Sequence, residues 1–145
     1  MPIVWKKHTP LENRLVWEYM IKYHPRALQW RRVRLGPYPE QEKSKLYSVL
    51  RRWADCVFVE NKTVYILEAK MRAEPGAIGQ LELYKKLFPD TPEFYQFRKY
   101  PIKLIFLTTI RDKVVEKLCK EKGIQYIVYS PAWVKEWWKK KMGAG

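Results

Sequence analysis

Thiols and imidazoles are scarce in this chain: 145 residues hold two cysteines, Cys56 and Cys119, and two histidines, His8 and His24. Two cysteines cannot form a disulfide framework or a four-cysteine zinc or iron-sulfur centre, so a thiol-ligated metal is not expected. None of these four residues is assigned a functional role. Long apolar runs are also missing. No stretch approaches the roughly 18 residues of a membrane span, and the start, Met-Pro-Ile-Val-Trp-Lys-Lys, lacks the apolar segment of a signal peptide. The expectation is a soluble, intracellular (cytoplasmic) protein. Glycines number only 6, and no repeat, linker or low-complexity tract interrupts the sequence. Acids are outnumbered, 15 against 29 lysines and arginines, for a formal charge of +14. An excess of that size points to a polyanionic partner, nucleic acid first; a generally basic protein is the plainer reading. Scarce asparagine and serine beside plentiful lysine, glutamate and tyrosine give a weak compositional hint of a thermophile.

What is present is enough to fold. The chain is 47% hydrophobic and 15% aromatic, which suits one core in one domain spanning 1–145. Thr9-Pro10-Leu11-Glu12 has the residues of a capping box, and Leu11, Leu15, Val16, Tyr19, Met20 and Tyr23 recur at helical spacing, predicting a helix over 10–24. Ala27 to Leu35 reads as a strand with mixed faces, ended by Gly36-Pro37-Tyr38-Pro39. Glu40 to Trp53 is ambiguous, and the spacing of Leu46, Val49, Leu50 and Trp53 favours a short helix. Residues 54–60 and 64–70 are apolar strands around Asn61-Lys62, covered on both faces. A helix from Pro75-Gly76 to about Phe88, a strand over 102–109, a helix over 112–122, a strand over 124–129 and a tryptophan-rich helix after Ser130-Pro131 complete the chain. The order is αβ(α)ββαβαβα, an α/β mixed sheet flanked by helices.

Two acids stand out in the central hairpin. Counting outward from Asn61-Lys62 pairs Glu60 with Thr63 and brings Asp55 opposite Glu68. Opposed residues have Cβ atoms about 4.5 to 5.5 Å apart, so two carboxylates repel there unless a cation or proton lies between them. Lys70 is two residues further on, hence on the same face. Oxygen donors without nearby sulfur or imidazole suit Mg²⁺ or Mn²⁺, which can activate water and neutralise phosphoryl charge. With the basic charge, this describes phosphodiester hydrolysis.

Asp55, a twelve-residue spacer and Glu68-Ala69-Lys70 resemble the PD-(D/E)xK nuclease superfamily. The resemblance implies a restriction-endonuclease-like αβββαβ core and DNA as partner. It also implies metal ligation by Asp55, Glu68 and the Ala69 carbonyl, with Lys70 assisting the water. Gln80-Leu-Glu-Leu-Tyr84 looks like the Gln-x-x-x-Tyr element of the RecB-like branch, with both side chains on one helix face. Glu60-Asn61-Lys62 repeats the Glu-x-Lys triplet by chance; only Glu68-Ala69-Lys70 ends an apolar strand facing an acid. Ala54 replaces the motif's proline, and the scarcity of cysteine argues against iron-sulfur members of the branch.

Each residue also has a plainer reading. Asp55, Glu68 and Lys70 form a structural ion cluster if no metal binds. Glu12, on the first helix, is either a helix cap or a further site acid, with Glu18 as its substitute; Gln80 and Tyr84 are otherwise a helix-face contact. Lys43, Lys45, Arg51, Arg52 and Arg72 either hold a phosphate backbone or make a solvated basic face. Trp133 and at least one of Trp137 and Trp138 are expected to pack, and an exposed one could stack a base. The resulting expectation is a Mg²⁺- or Mn²⁺-dependent deoxyribonuclease. Alternatives are a Holliday-junction resolvase of the same superfamily, which would act as a homodimer, and a non-catalytic basic DNA-binding module.

Overall fold

The structure is a computed structural model and describes residues 10–37 and 52–143. Helix α1 (Pro10–Tyr23) buries Leu15, Val16, Tyr19 and Met20, the stripe set by its 3.6-residue repeat. Thr9, the expected cap, lies outside the described residues. After α1 come three strands, β1 (Leu28–Leu35), β2 (Arg52–Glu60) and β3 (Thr63–Lys70), then α2 (Gly76–Leu87). Two short 3₁₀ helices (Phe88–Asp90 and Pro92–Phe97) lead to β4 (Ile102–Thr108), α3 (Lys113–Glu121), β5 (Ile124–Val128) and α4 (Ala132–Lys141). None of the described helices is long and apolar enough to cross a membrane.

The five strands lie in the order β1-β2-β3-β4-β5. The first three are antiparallel neighbours, whereas β3, β4 and β5 run parallel, each joined to the next by a helical crossover. The sequence from α1 to β4 is thus the αβββαβ order of a restriction-endonuclease-like core. Alternation along the strands divides the interior in two. Val57, Val64, Ile66, Leu104 and Phe106 pack under α2, the 3₁₀ helices and α3. Cys56, Phe58, Leu67, Ala69, Ile105 and Leu107 pack under α1 and α4. Both faces of β2 and β3 are therefore apolar, as expected of strands covered twice.

Two elements differ from the sequence expectation. Arg52 and Trp53 belong to β2, paired with Leu35 and Arg34, and are not the end of a helix. Pairing across the sheet satisfies their backbone groups and overrides the local helical spacing; the rest of the expected helix lies outside the described residues. The segment around Pro89 and Pro92 is more than a helix stop. Phe88, Phe94 and Phe97 turn inward from it and, with Trp30, form an aromatic cluster beside β1.

Candidate active site

The turn sets the site. Asn61 and Lys62 have φ of 52° and 55°, the two left-handed residues of a two-residue hairpin turn, which fixes the mirror register. Glu60 pairs with Thr63, and the ladder runs to Cys56 and Leu67. One step further, Asp55 faces Glu68, and there the regular ladder gives way to a side-chain contact: the Ala69 N–H donates to Asp55 Oδ2 at 2.7 Å. Both acids are buried, Asp55 9% and Glu68 4% exposed. Lys70 reaches back along the same face, its Nζ 3.8 Å from Glu68 Oε2.

Burial dominates the electrostatics. It pushes the Asp55 carboxyl up to about 7, against the Ala69 hydrogen bond that favours the ionised form; Glu12 adds to the rise, while Lys70 and Arg32 oppose it. Glu68 is pushed well above the ordinary carboxylate range, first by burial and then by the Asp55 charge, with Lys70 again opposing. Two acids in one low-dielectric pocket cannot both ionise cheaply without a cation.

The surrounding residues fix this pair. Met71, just past Lys70, donates its N–H to Glu12 Oε2 at 3.4 Å, a long bond, and its carbonyl accepts from Thr109 Oγ1. Thr109 Oγ1 in turn accepts from the Trp138 indole N–H at 2.8 Å. Tyr84 is buried against Glu68 and donates its hydroxyl proton to the Trp53 carbonyl at 2.7 Å. Its proximity favours ionised Glu68, but its one proton is engaged at Trp53, and Glu68 Oε1 is buried with no hydrogen-bond partner. That orphaned oxygen is the kind of atom a bound cation satisfies. The donor set is all oxygen, which fits Mg²⁺ or Mn²⁺. Asp55 and Glu68 are the facing pair, and Glu12 acts on both from α1. Among the described residues no group of three or more acids, histidines or cysteines has metal-holding geometry.

The structure therefore brings together Asp55, Glu68, Ala69, Lys70, Glu12 and Tyr84. Gln80 is exposed on α2, one turn before Tyr84, rather than buried with it. Glu18, the substitute for Glu12, is committed elsewhere: it accepts from Trp133 Nε1 at 2.8 Å and from Arg14 at 3.0 Å, where α1 meets α4. Arg52 is exposed at the start of β2, and Arg72 is exposed beyond β3, its guanidinium 5.7 Å from the Trp138 ring. A cleft of about 500 Å³ opens beside Arg72 and Trp138. Lys43, Lys45 and Arg51 lie outside the described residues. Among the described residues the most exposed indoles are not in the tryptophan-rich helix but at Trp17 and Trp53, because Trp133, Trp137 and Trp138 pack against the core. Sequence reasoning assigned no role to Arg32; its only trace was the mixed-face pattern of Arg31-Arg32-Val33-Arg34.

No family model and no curated protein matches the chain. Two solved structures are similar in shape. A crystal structure of a repair endonuclease from Pyrococcus abyssi shares 13% identity at a TM-score of 0.48, covering 89% of this chain and 50% of that one. The structure of an EndoMS-dsDNA2 complex shares 13% identity at a TM-score of 0.49, covering 90% of this chain and 49% of that one. The chain thus spans about half the length of either. Likeness at this level carries neither activity nor substrate across.

Proposed function

We propose that this chain is a divalent-metal-dependent nuclease of the PD-(D/E)xK type that hydrolyses DNA phosphodiester bonds. One observation carries the reading: two buried carboxyls face each other at the end of a central hairpin, and one of them keeps an oxygen without a hydrogen-bond partner. Asp55 and Glu68 would hold the metal, with the Ala69 carbonyl and Glu12 as further donors. When bound, Mg²⁺ or Mn²⁺ supplies an acidified water and charge neutralisation at the phosphoryl group.

The protein's own groups have separate tasks. Lys70 is a cation next to Glu68 and less buried than it, in position to orient the attacking water or to stabilise charge developing on the phosphate. The Ala69 N–H fixes one oxygen of Asp55, so that carboxylate does not turn away. Tyr84 ties the start of β2 to α2 beside Glu68. In hydrolysis the water oxygen bonds to phosphorus, the bridging P–O bond breaks, and the leaving oxygen takes up a proton. DNA as the substrate rests on the resemblance and on the formal charge of +14.

The plainer reading, a basic DNA-binding module, draws on the Lys70–Glu68 contact, which is what a structural ion pair would also show. An assay separates the two. Purified protein with Mg²⁺ or Mn²⁺ is expected to cut within a panel of single-stranded, duplex, flap and four-way-junction DNA and to stop with chelator. Asp55→Asn and Glu68→Gln are expected to reduce cutting to background while leaving binding in place. Wild-type cutting by both variants would overturn the assignment. A marked preference for four-way junctions would point to a resolvase.

A further inference from the structure

Arg32, in the middle of β1, has φ of 54°, a left-handed conformation that residues other than glycine and asparagine adopt only at a cost. Its neighbours Arg31 and Val33 pair with Cys56 and Ala54, so the residue opposite Arg32 is Asp55, and that one rung is missing from the ladder. The local twist has a packing reason. Trp30 and Val33 both pack on the α2 side, which a regular strand with alternating side chains would not allow. Packing explains the backbone but not the residue, because glycine would take the same conformation without strain. Instead the position carries an exposed guanidinium.

That guanidinium belongs to a cluster. It lies 5.4 Å from the Trp53 ring centroid, and the Arg34 guanidinium lies 5.5 Å from the same ring. Trp53 is 44% exposed, two residues before Asp55, and Tyr84 holds its backbone carbonyl. Asp55, Glu68 and Glu12 offer an approaching phosphate no positive charge of their own, and Lys70 is already beside Glu68. A strand brought to these acids needs a cation outside the acid group and a surface to lie on; an indole with two guanidiniums near its ring supplies both.

We propose that Arg32, together with Trp53 and Arg34, grips the nucleic-acid strand next to the acid site, Arg32 on a backbone phosphate and Trp53 against a base or sugar. This deepens the nuclease reading and rests on it only for the identity of the phosphate that reacts. Arg32 is a positioning residue, not a catalytic one.

The test is fluorescence anisotropy with labelled single-stranded and duplex DNA in Ca²⁺, over a series of KCl concentrations, with thermal melts alongside. Arg32→Gly and Arg32→Asn suit the left-handed backbone and are expected to melt at or above wild type. They should bind about tenfold weaker, with the slope of log Kd against log salt reduced by about 1. Arg32→Lys should retain the slope, and Trp53→Leu should weaken binding with the slope unchanged. Wild-type affinity and slope in the glycine and asparagine variants would overturn the proposal, as would a wild-type protein that binds no DNA. The two readings fail separately. A wild type that binds through Arg32 but never cuts leaves the grip standing and removes the nuclease. One that cuts while Arg32→Gly binds and cuts normally does the reverse.

Discussion

At the scale of single residues, the acid pair makes a prediction in pH. Asp55 is raised from its ordinary 3.8 to about 7, and Glu68 moves in the same direction. For a carboxyl whose pKa is higher folded than unfolded, the folded state binds protons more tightly. Its stabilising contribution is present below the unfolded pKa and is lost as pH rises through the folded one. The metal-free protein should therefore lose thermal stability between about pH 4 and pH 7. In calorimetry at pH 4.5, 6 and 8, Asp55→Asn should flatten this slope and melt higher than wild type at pH 8. Added Mg²⁺ should raise the melting temperature more at pH 8 than at pH 4.5, because binding needs the ionised carboxylates. Tyr84 gives a second prediction. Tyr84→Phe leaves the Trp53 carbonyl without its donor and should cost about 1 to 3 kcal/mol in urea denaturation. The facing of Asp55 and Glu68 was legible in the sequence because strand pairing obeys arithmetic once the turn is located. Arg32 was not, since its backbone angle depends on Trp30 and Val33 both packing under α2, a demand made by residues distant in sequence.

At the scale of elements, the hairpin turn fixes the register of β2 against β3 but is not optimal. Lys62 holds φ of 55° without the freedom of glycine. Lys62→Gly should stabilise the protein by about 1 kcal/mol with cutting unchanged, measured as a shift in denaturation midpoint at constant m value. Helix α1 followed from its periodicity and the hairpin strands from their continuous apolar runs, which are buried on both faces. Elements whose form depends on a partner were less legible. Trp53 has helical spacing with Leu46, Val49 and Leu50 in sequence, but Arg52 and Trp53 gain strand partners in Leu35 and Arg34. The prolines after α2 mark a break but do not reveal that Phe94 and Phe97 will meet Trp30.

At the scale of the whole molecule, the proposed binding of DNA by a chain of charge +14 should depend strongly on salt. If six or more phosphates are contacted, affinity should fall by about a thousandfold between 50 and 200 mM salt, and anisotropy titrations measure the slope directly. The position of β3 has a further consequence. It is the middle strand of five, the one at which antiparallel pairing changes to parallel, and it carries both Glu68 and Lys70. Its amides should be among the slowest to exchange with deuterium, opening only when the whole sheet opens. Glu12, by contrast, reaches the site from α1, a separate element whose buried stripe lies in the half of the core that α4 also covers. Deuterium uptake along α1, read against that along β3, would show how far the outer acid opens independently of the strand that carries Glu68 and Lys70.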